Sequence, residues 1–189
     1  MYCVHARYRG RADDRTGLVT ASARALARLD GVDSIDVVGD DALSADARTS
    51  VGATTLVMAL LAAGDWTAGI GISPVGDGRA ARVAAAGVMR AARGPVVRTR
   101  IRSDDPAAAE LADDVSAAFT LLHHVISRRS PEGREATNLM RAGWTQVEAA
   151  EDLGISKQAV NQRLAAAGWH AEEAGWSLAV HLLDRALTM

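Results

Sequence analysis

The pattern of apolar residues changes once along this chain of 189 residues, and that change limits the folds open to it. Up to residue 104, short runs that alternate apolar and polar side chains are separated by alanine-rich stretches with helical periodicity. Beyond Asp105 the pattern is helical only. We therefore predict an α+β fold, with an α/β domain over residues 1–104 and a helical domain over residues 105–189.

Four runs in the first half have the period of two that is typical of a half-buried strand. They lie at 2–9, 34–39, 66–73 and 96–102, with helices predicted at about 13–29, 47–63 and 78–92. Strands that are buried on both faces usually read as continuous apolar runs, and these do not. We therefore expect a two-layer domain of ferredoxin-like or palm-like type, with helices on one sheet face and a polar, open second face.

Arginine side chains are out of phase with the apolar residues of the first and last predicted strands. In a ferredoxin-like order those two strands are neighbours, which would put their arginines together on the open face. The five are Arg7, Arg9, Arg98, Arg100 and Arg102. Such a cluster is a candidate anion site for a nucleotide, a DNA backbone or an acidic partner. The alternative is a solvated surface, because arginine outnumbers the single lysine throughout the chain.

Residues 145–167 contain the capping and turn residues that are typical of two short helices joined by a tight turn. Thr145 and Glu148 form a capping box at the start of the first helix. Gly154 supplies the left-handed residue that ends it, and Ser156 caps the second helix. The apolar residues expected in the shared core are Val147, Leu153, Ile155, Val160 and Leu164. This segment resembles the helix-turn-helix of bacterial transcription factors.

That resemblance implies that the second helix enters the major groove of DNA. Glutamine and asparagine suit paired hydrogen bonds to adenine, and lysine suits guanine or phosphate. The candidate DNA contacts are Thr145, Gln146, Ser156, Lys157, Gln158, Asn161, Gln162 and Arg163. The alternative for each is an ordinary exposed polar residue on a helix.

The charge of the C-terminal part favours a modest affinity for DNA. Residues 131–189 contain five basic and eight acidic residues, a net charge of −3. Attraction to phosphate supplies most non-specific affinity, so a single module needs support from a second copy. We therefore expect a homodimer. One stripe of the last helix could form its interface or could pack on its own domain: Trp176, Val180, Leu183 and Leu187.

The order of elements resembles the SatD-like family of bacterial proteins. The segments that carry the resemblance are Val37-Val-Gly-Asp-Asp41, an apolar helix, Thr67-Ala-Gly-Ile-Gly-Ile72 and the closing helix-turn-helix. The resemblance implies a front domain similar to a nucleotide-cyclase palm. Such a palm needs carboxylates on the first strand and at the hairpin for two metal ions. Here Asp40 and Asp41 match the hairpin only, so we predict no catalytic residue, metal or other cofactor.

The remaining sequence features point to a cytoplasmic protein without a membrane partner. Cys3 is the only cysteine, which excludes an intramolecular disulfide and a cysteine zinc site. The longest apolar run has eight residues, and the N-terminus lacks a signal-peptide pattern. We expect a transcriptional regulator that binds double-stranded DNA, with the front domain sensing a small anionic or nucleotide effector or mediating oligomerisation. The alternatives are a nucleotide sensor or cyclase-like enzyme with an accessory helix-turn-helix, and a protein-interaction adaptor.

Overall fold

A computed structural model describes residues 1–89 and 96–189. The N-terminal elements are β1 Tyr2–Tyr8, α1 Arg15–Leu26, β2 Val32–Val38, β3 Ala42–Ala47, α2 Ser50–Ala63, β4 Trp66–Ile72, α3 Gly78–Val88 and β5 Val97–Ile101. The helices that follow are α4 Ala108–Ser127, α5 Pro131–Arg141, α6 Gln146–Leu153, α7 Lys157–Ala166 and α8 Trp169–Ala186. Within these residues, no helix combines the length and apolar character needed to cross a membrane.

The five strands of the described residues form one mixed sheet in the order β2-β3-β1-β4-β5. The first four strands pair with one another in antiparallel fashion and, with α1 and α2, make the β-α-β-β-α-β unit of a ferredoxin-like fold. Helix α3 then crosses over and adds β5 parallel to β4. The predicted α+β class is therefore confirmed.

Strand β3 is absent from the sequence-based prediction. Because of this omission, the prediction put the arginines of residues 96–102 on the wrong strand position in the sheet. Three of its six residues are alanine, which has little strand preference, and all six are buried. Without β3, residues 96–102 counted as the fourth strand, next to the first. In the structure the neighbour of β1 is β4, and β5 lies one strand further out. The expectation that residues 2–9 pair with residues 96–102 was wrong.

One face of the sheet carries the main apolar core. Val4 and Ile70 lie opposite each other on it, and α1, α2, α4 and α8 contribute buried side chains to the same cluster. The hydroxyl of Tyr2 donates a hydrogen bond of 3.0 Å to the carbonyl of Leu183 in α8. The predicted stripe of α8 packs here too: Val180 and Leu183 are buried, and Trp176 and Leu187 lie against the core. The homodimer and the division at residue 105 stay predictions.

Helix α3 covers the second face of the sheet, so the expectation of an open polar face was wrong. Gly69 and Gly71 let the helix backbone approach the strands, because a Cβ on Gly71 would overlap the carbonyl of Ala81. Arg82 of α3 binds Asp36 (2.9 Å), a polar residue of the alternating run at 34–39, and Asp46 (2.6 Å) of β3. The predicted helix ends at Val88 in the structure, and its residues 90–92 lie outside the described ones.

Substituting Gly71 with alanine is expected to lower the free energy of unfolding by about 1–3 kcal/mol, because the added methyl group forces the α3 backbone away from β4. Gly87→Ala, in α3 itself, is the matched control, since no described atom lies within 4 Å of the position that its Cβ would take. Alanine there should be neutral or stabilising by up to about 1 kcal/mol. Urea denaturation of both variants checks this, and an equal effect at the two glycines would contradict the close approach of α3.

Candidate nucleic-acid interface

Helices α5, α6 and α7 form a small three-helix unit with its own apolar core. Its buried members are Ala136, Ala149, Ala150, Val160 and Leu164, with Leu153 and Ile155 packed against them. Val147, which the sequence pattern assigned to this core, is half exposed. Ala136 of α5 fills the core instead. The small alanine side chains allow α6 and α7 to cross closely, as a helix-turn-helix requires.

The turn between α6 and α7 has the geometry that the sequence predicts. The Thr145 hydroxyl accepts a hydrogen bond from the Glu148 amide (3.3 Å), and the Glu148 carboxylate accepts one from the Thr145 amide (2.7 Å). The Thr145 amide and the Thr145 hydroxyl both donate to the Glu148 carboxylate, and these two bonds hold the pKa of Glu148 below its usual range. Gly154 has φ 63° and ends α6, and Ser156 accepts a bond from the Ala159 amide (3.1 Å) at the start of α7. The structure therefore has the two capped helices and the left-handed turn residue that the sequence pattern predicts here.

The outer side of α7 carries an exposed polar row. Lys157, Gln158, Asn161 and Gln162 are all exposed, while Val160 and Leu164 face the core. Among the described residues, none of these four polar side chains has a hydrogen-bond or ion-pair partner. Ala165 and Ala166 continue the exposed side with small residues, which the sequence analysis did not single out. A helix with this outer side can approach a surface closely and present free amide groups to it.

Among the other candidate DNA contacts, Thr145, Ser156 and Arg163 are paired within the protein. The Thr145 hydroxyl also donates to Glu148 (2.8 Å), whose negative charge lies at the α6 N-terminus, where a phosphate would otherwise bind. Gln146 is partly buried. Arg163 lies 3.5 Å from Glu135 of α5. By contrast, the first turn of α7 contains no acidic residue. The N-terminus of α7 is therefore better suited to a phosphate than that of α6.

A buried ion network, which the sequence analysis missed, connects the three-helix unit to the end of α4 and the start of α8. The Glu172 carboxylate at the start of α8 pairs with both Arg129 and Arg141. The side chains of Arg129 and Glu172 are 1% and 6% exposed. Arg129 also donates to the Ala167 carbonyl at the end of α7 (2.8 Å). The sequence feature that could have predicted this network is the acidic residue Glu172, which lies on the apolar stripe of α8 three residues after Trp169.

The five arginines of the proposed anion site share one side of the sheet but do not converge. Strand β4 separates β1 from β5, and α3 covers the centre of that face. Arg7 pairs with Asp41 (3.5 Å), Arg9 donates to Thr67 (3.4 Å), and Arg98 donates to the Val88 carbonyl of α3 (3.0 Å). Arg100 and Arg102 are exposed at the edge formed by β5.

Burial shifts two titratable groups on the face of the sheet that α3 covers. It lowers the pKa of His5, and the Arg7 charge adds to the effect. It also raises the pKa of the Cys3 thiol to about 11. Cys3 is fully buried and lies 3.4 Å from the Ser44 hydroxyl. Neutral forms of both groups are therefore favoured in the folded protein near pH 7.

Comparison with known proteins adds little to this geometry. No family model matches the sequence, and no curated protein matches it either. Among solved structures, the chain is similar to a regulator of polyketide synthase expression from Bifidobacterium adolescentis. The alignment covers 100% of this chain and 80% of that one, with 15% identity and a TM-score of 0.30. Similarity at this level supports no conclusion about activity, and the resemblance to the SatD-like family stays a prediction.

Proposed function

We propose that this protein is a transcriptional regulator that binds double-stranded DNA through α7. The observation that carries the proposal is the exposed row of Lys157, Gln158, Asn161 and Gln162 at the start of a capped helix. Free amide side chains can make the paired hydrogen bonds that read adenine in the major groove. The small residues Ala165 and Ala166 allow the rest of the helix to lie close to the groove.

Replacing Gln158 or Asn161 with alanine is expected to weaken binding to the cognate site by about 1–3 kcal/mol and to change binding to random DNA little. The reason is that base-edge contacts carry sequence information, whereas phosphate contacts do not. A cognate site from in vitro selection and a fluorescence anisotropy titration provide the measurement. Arg185→Ala, an exposed site on the last turn of α8, is the control. Equal losses on cognate and random DNA would contradict base reading.

Homodimer formation on DNA is the second part of the proposal. It is supported by the few cations on α7, where Lys157 is exposed and Arg163 is held near Glu135. A single unit therefore neutralises few phosphates. The cognate site should contain two half-sites about 10 base pairs apart or a multiple of that distance. Light scattering of the complex should give two copies per site, and one copy at micromolar concentration would contradict the dimer.

For the remainder of the chain we propose a sensing or oligomerisation role rather than catalysis. In a cyclase-like enzyme the hairpin carboxylate would have to be available to a metal ion. Here the Arg7 guanidinium lies beside Asp41 instead. A protein-interaction adaptor is the second candidate, favoured by the exposure of Trp144 and Val147 beside the α6 acids.

Genome-wide immunoprecipitation of the tagged protein distinguishes the two candidates. A DNA-binding regulator should give discrete sites that disappear in Gln158→Ala and persist in Trp144→Ala. An adaptor should give the reverse pattern, because its contact with DNA would be indirect.

A further inference from the structure

A cleft of about 680 Å³ separates α2 from the first half of α8. Its α2 wall comes from one side of that helix, with Met58 and Ala62 among the lining residues. Trp169 and Trp176 of α8 form the opposite wall, and Arg141 of α5 lies at the same site. The volume falls within the range of about 300–1,000 Å³ that is usual for small-molecule sites. The cleft therefore has the size and the apolar lining of a ligand site.

Arg141 gives this apolar cleft a polar group with unused bonding capacity. Its guanidinium has five N–H donors. Three bonds within the described residues use Nε and Nη2 toward Glu172 and Nη1 toward Asn138. Two donors are left on a side chain that is 31% exposed. The guanidinium also lies over the Trp169 ring, 5.9 Å from its centroid, which holds it beside the apolar wall.

The charges behind the cleft favour an anion at Arg141. Glu172, which lines the cleft beside Arg141, is the one carboxylate that both Arg129 and Arg141 pair with in the described structure, so two positive charges face one negative charge there. Glu173 also borders the cleft, but its side chain is more than half exposed and lies 3.2 Å from His170. Its charge is therefore screened by solvent, whereas the excess charge at Arg141 is next to the apolar walls.

We propose that the cleft binds a small apolar carboxylic acid, with its carboxylate on Arg141 and its apolar part between Met58 and the two tryptophans. Because α2 belongs to the sheet region and α8 follows the helix-turn-helix, an occupant would contact both. The use of this ligand as the effector of DNA binding rests on the proposed function. Binding of the acid in the cleft does not depend on the proposed function, and it is measured without DNA. Failure of ligand binding and failure of DNA binding can therefore be told apart.

The test is calorimetric titration of the full chain with decanoate and 2-naphthoate, with decan-1-ol as the neutral comparison. We expect saturable binding of at least one acid at one site. Binding of decan-1-ol to the wild-type chain, and of the acid to Arg141→Met, should each be weaker by about tenfold or more, because hydrogen bonds to a charged partner are lost. Arg141→Met leaves Glu172 paired with Arg129, and its thermal unfolding should confirm that it is folded.

A second pair of variants tests the location independently of charge. Ala62→Phe places a large side chain in the cleft and should abolish binding of the acid. Ala63→Phe is the matched control, because Ala63 is an exposed neighbour on α2 that does not line the cleft. Absence of saturable binding by both acids, equal binding of decan-1-ol, or unchanged binding by Ala62→Phe would each overturn the proposal.

Discussion

Replacing Glu172 with alanine is expected to lower the free energy of unfolding by about 3–5 kcal/mol. The substitution removes the carboxylate that Arg129 and Arg141 share. Arg141 can turn toward water, because its side chain is 31% exposed. Arg129 cannot turn toward water, because its side chain is only 1% exposed. In the variant it would keep a buried charge without a carboxylate partner. The cost arises from that unpaired charge and exceeds the net contribution of the ion pair itself.

Glu173→Ala is the matched control for this prediction. Glu173 is the adjacent residue on the same helix, but its side chain is more than half exposed and its ion-pair partner among the described residues is His170. Loss of such a surface pair should change stability by less than about 1 kcal/mol. Guanidinium denaturation of both variants gives the comparison. If Glu172→Ala and Glu173→Ala behave alike, the network at the start of α8 does not stabilise the protein as its burial implies.

Truncation of Phe119 to alanine is expected to cost about 3–5 kcal/mol of unfolding free energy. Phe119 lies in α4, yet it is fully buried in the cluster that covers the sheet. Its removal leaves a cavity in that shared cluster, because neighbouring side chains relax only partly into the space. The effect should reach β1, so its amide hydrogens should exchange faster along with those of α4.

Leu121→Ala on the same helix separates packing from helix propensity. Leu121 is 66% exposed, so its truncation should change stability by no more than about 0.5 kcal/mol. Urea denaturation and hydrogen exchange on both variants provide the measurements. Unchanged exchange in β1 for Phe119→Ala would indicate that the helical region folds independently of the sheet, as the boundary predicted at residue 105 implies.

The helix-turn-helix was predictable from the sequence because its signals are local. A capping box within four residues, the glycine at 154 and the cap at Ser156 each determine the conformation of their own segment. The exposed row on α7 follows from the same helical period. The prediction for Val147 was wrong. Its position in the helical period predicts burial, but α5 packs so that Ala136 fills the core and Val147 stays half exposed.

The features that the sequence could not predict depend on contacts between distant segments. Buried β3 is rich in alanine, and only its pairing with β1 and β2 makes it a strand. The polar residues facing α3 looked solvated, because nothing local reveals that Arg82 binds Asp46 across 36 positions of sequence. For the same reason, the pattern that aligned five arginines could not show that β4 lies between their strands.

The Glu172 network also defines how much of the chain is needed to hold α7 in place. Arg129 contacts the Ala167 carbonyl at the end of α7, and Glu172 pairs with Arg129 from the start of α8. Both residues lie outside the motif at 145–167. A graft of that motif into another scaffold would lose the residues that fix the end of α7. The shortest segment that could be transferred with the end of α7 held in place therefore runs from Arg129 to Glu172. It is about twice as long as the motif itself.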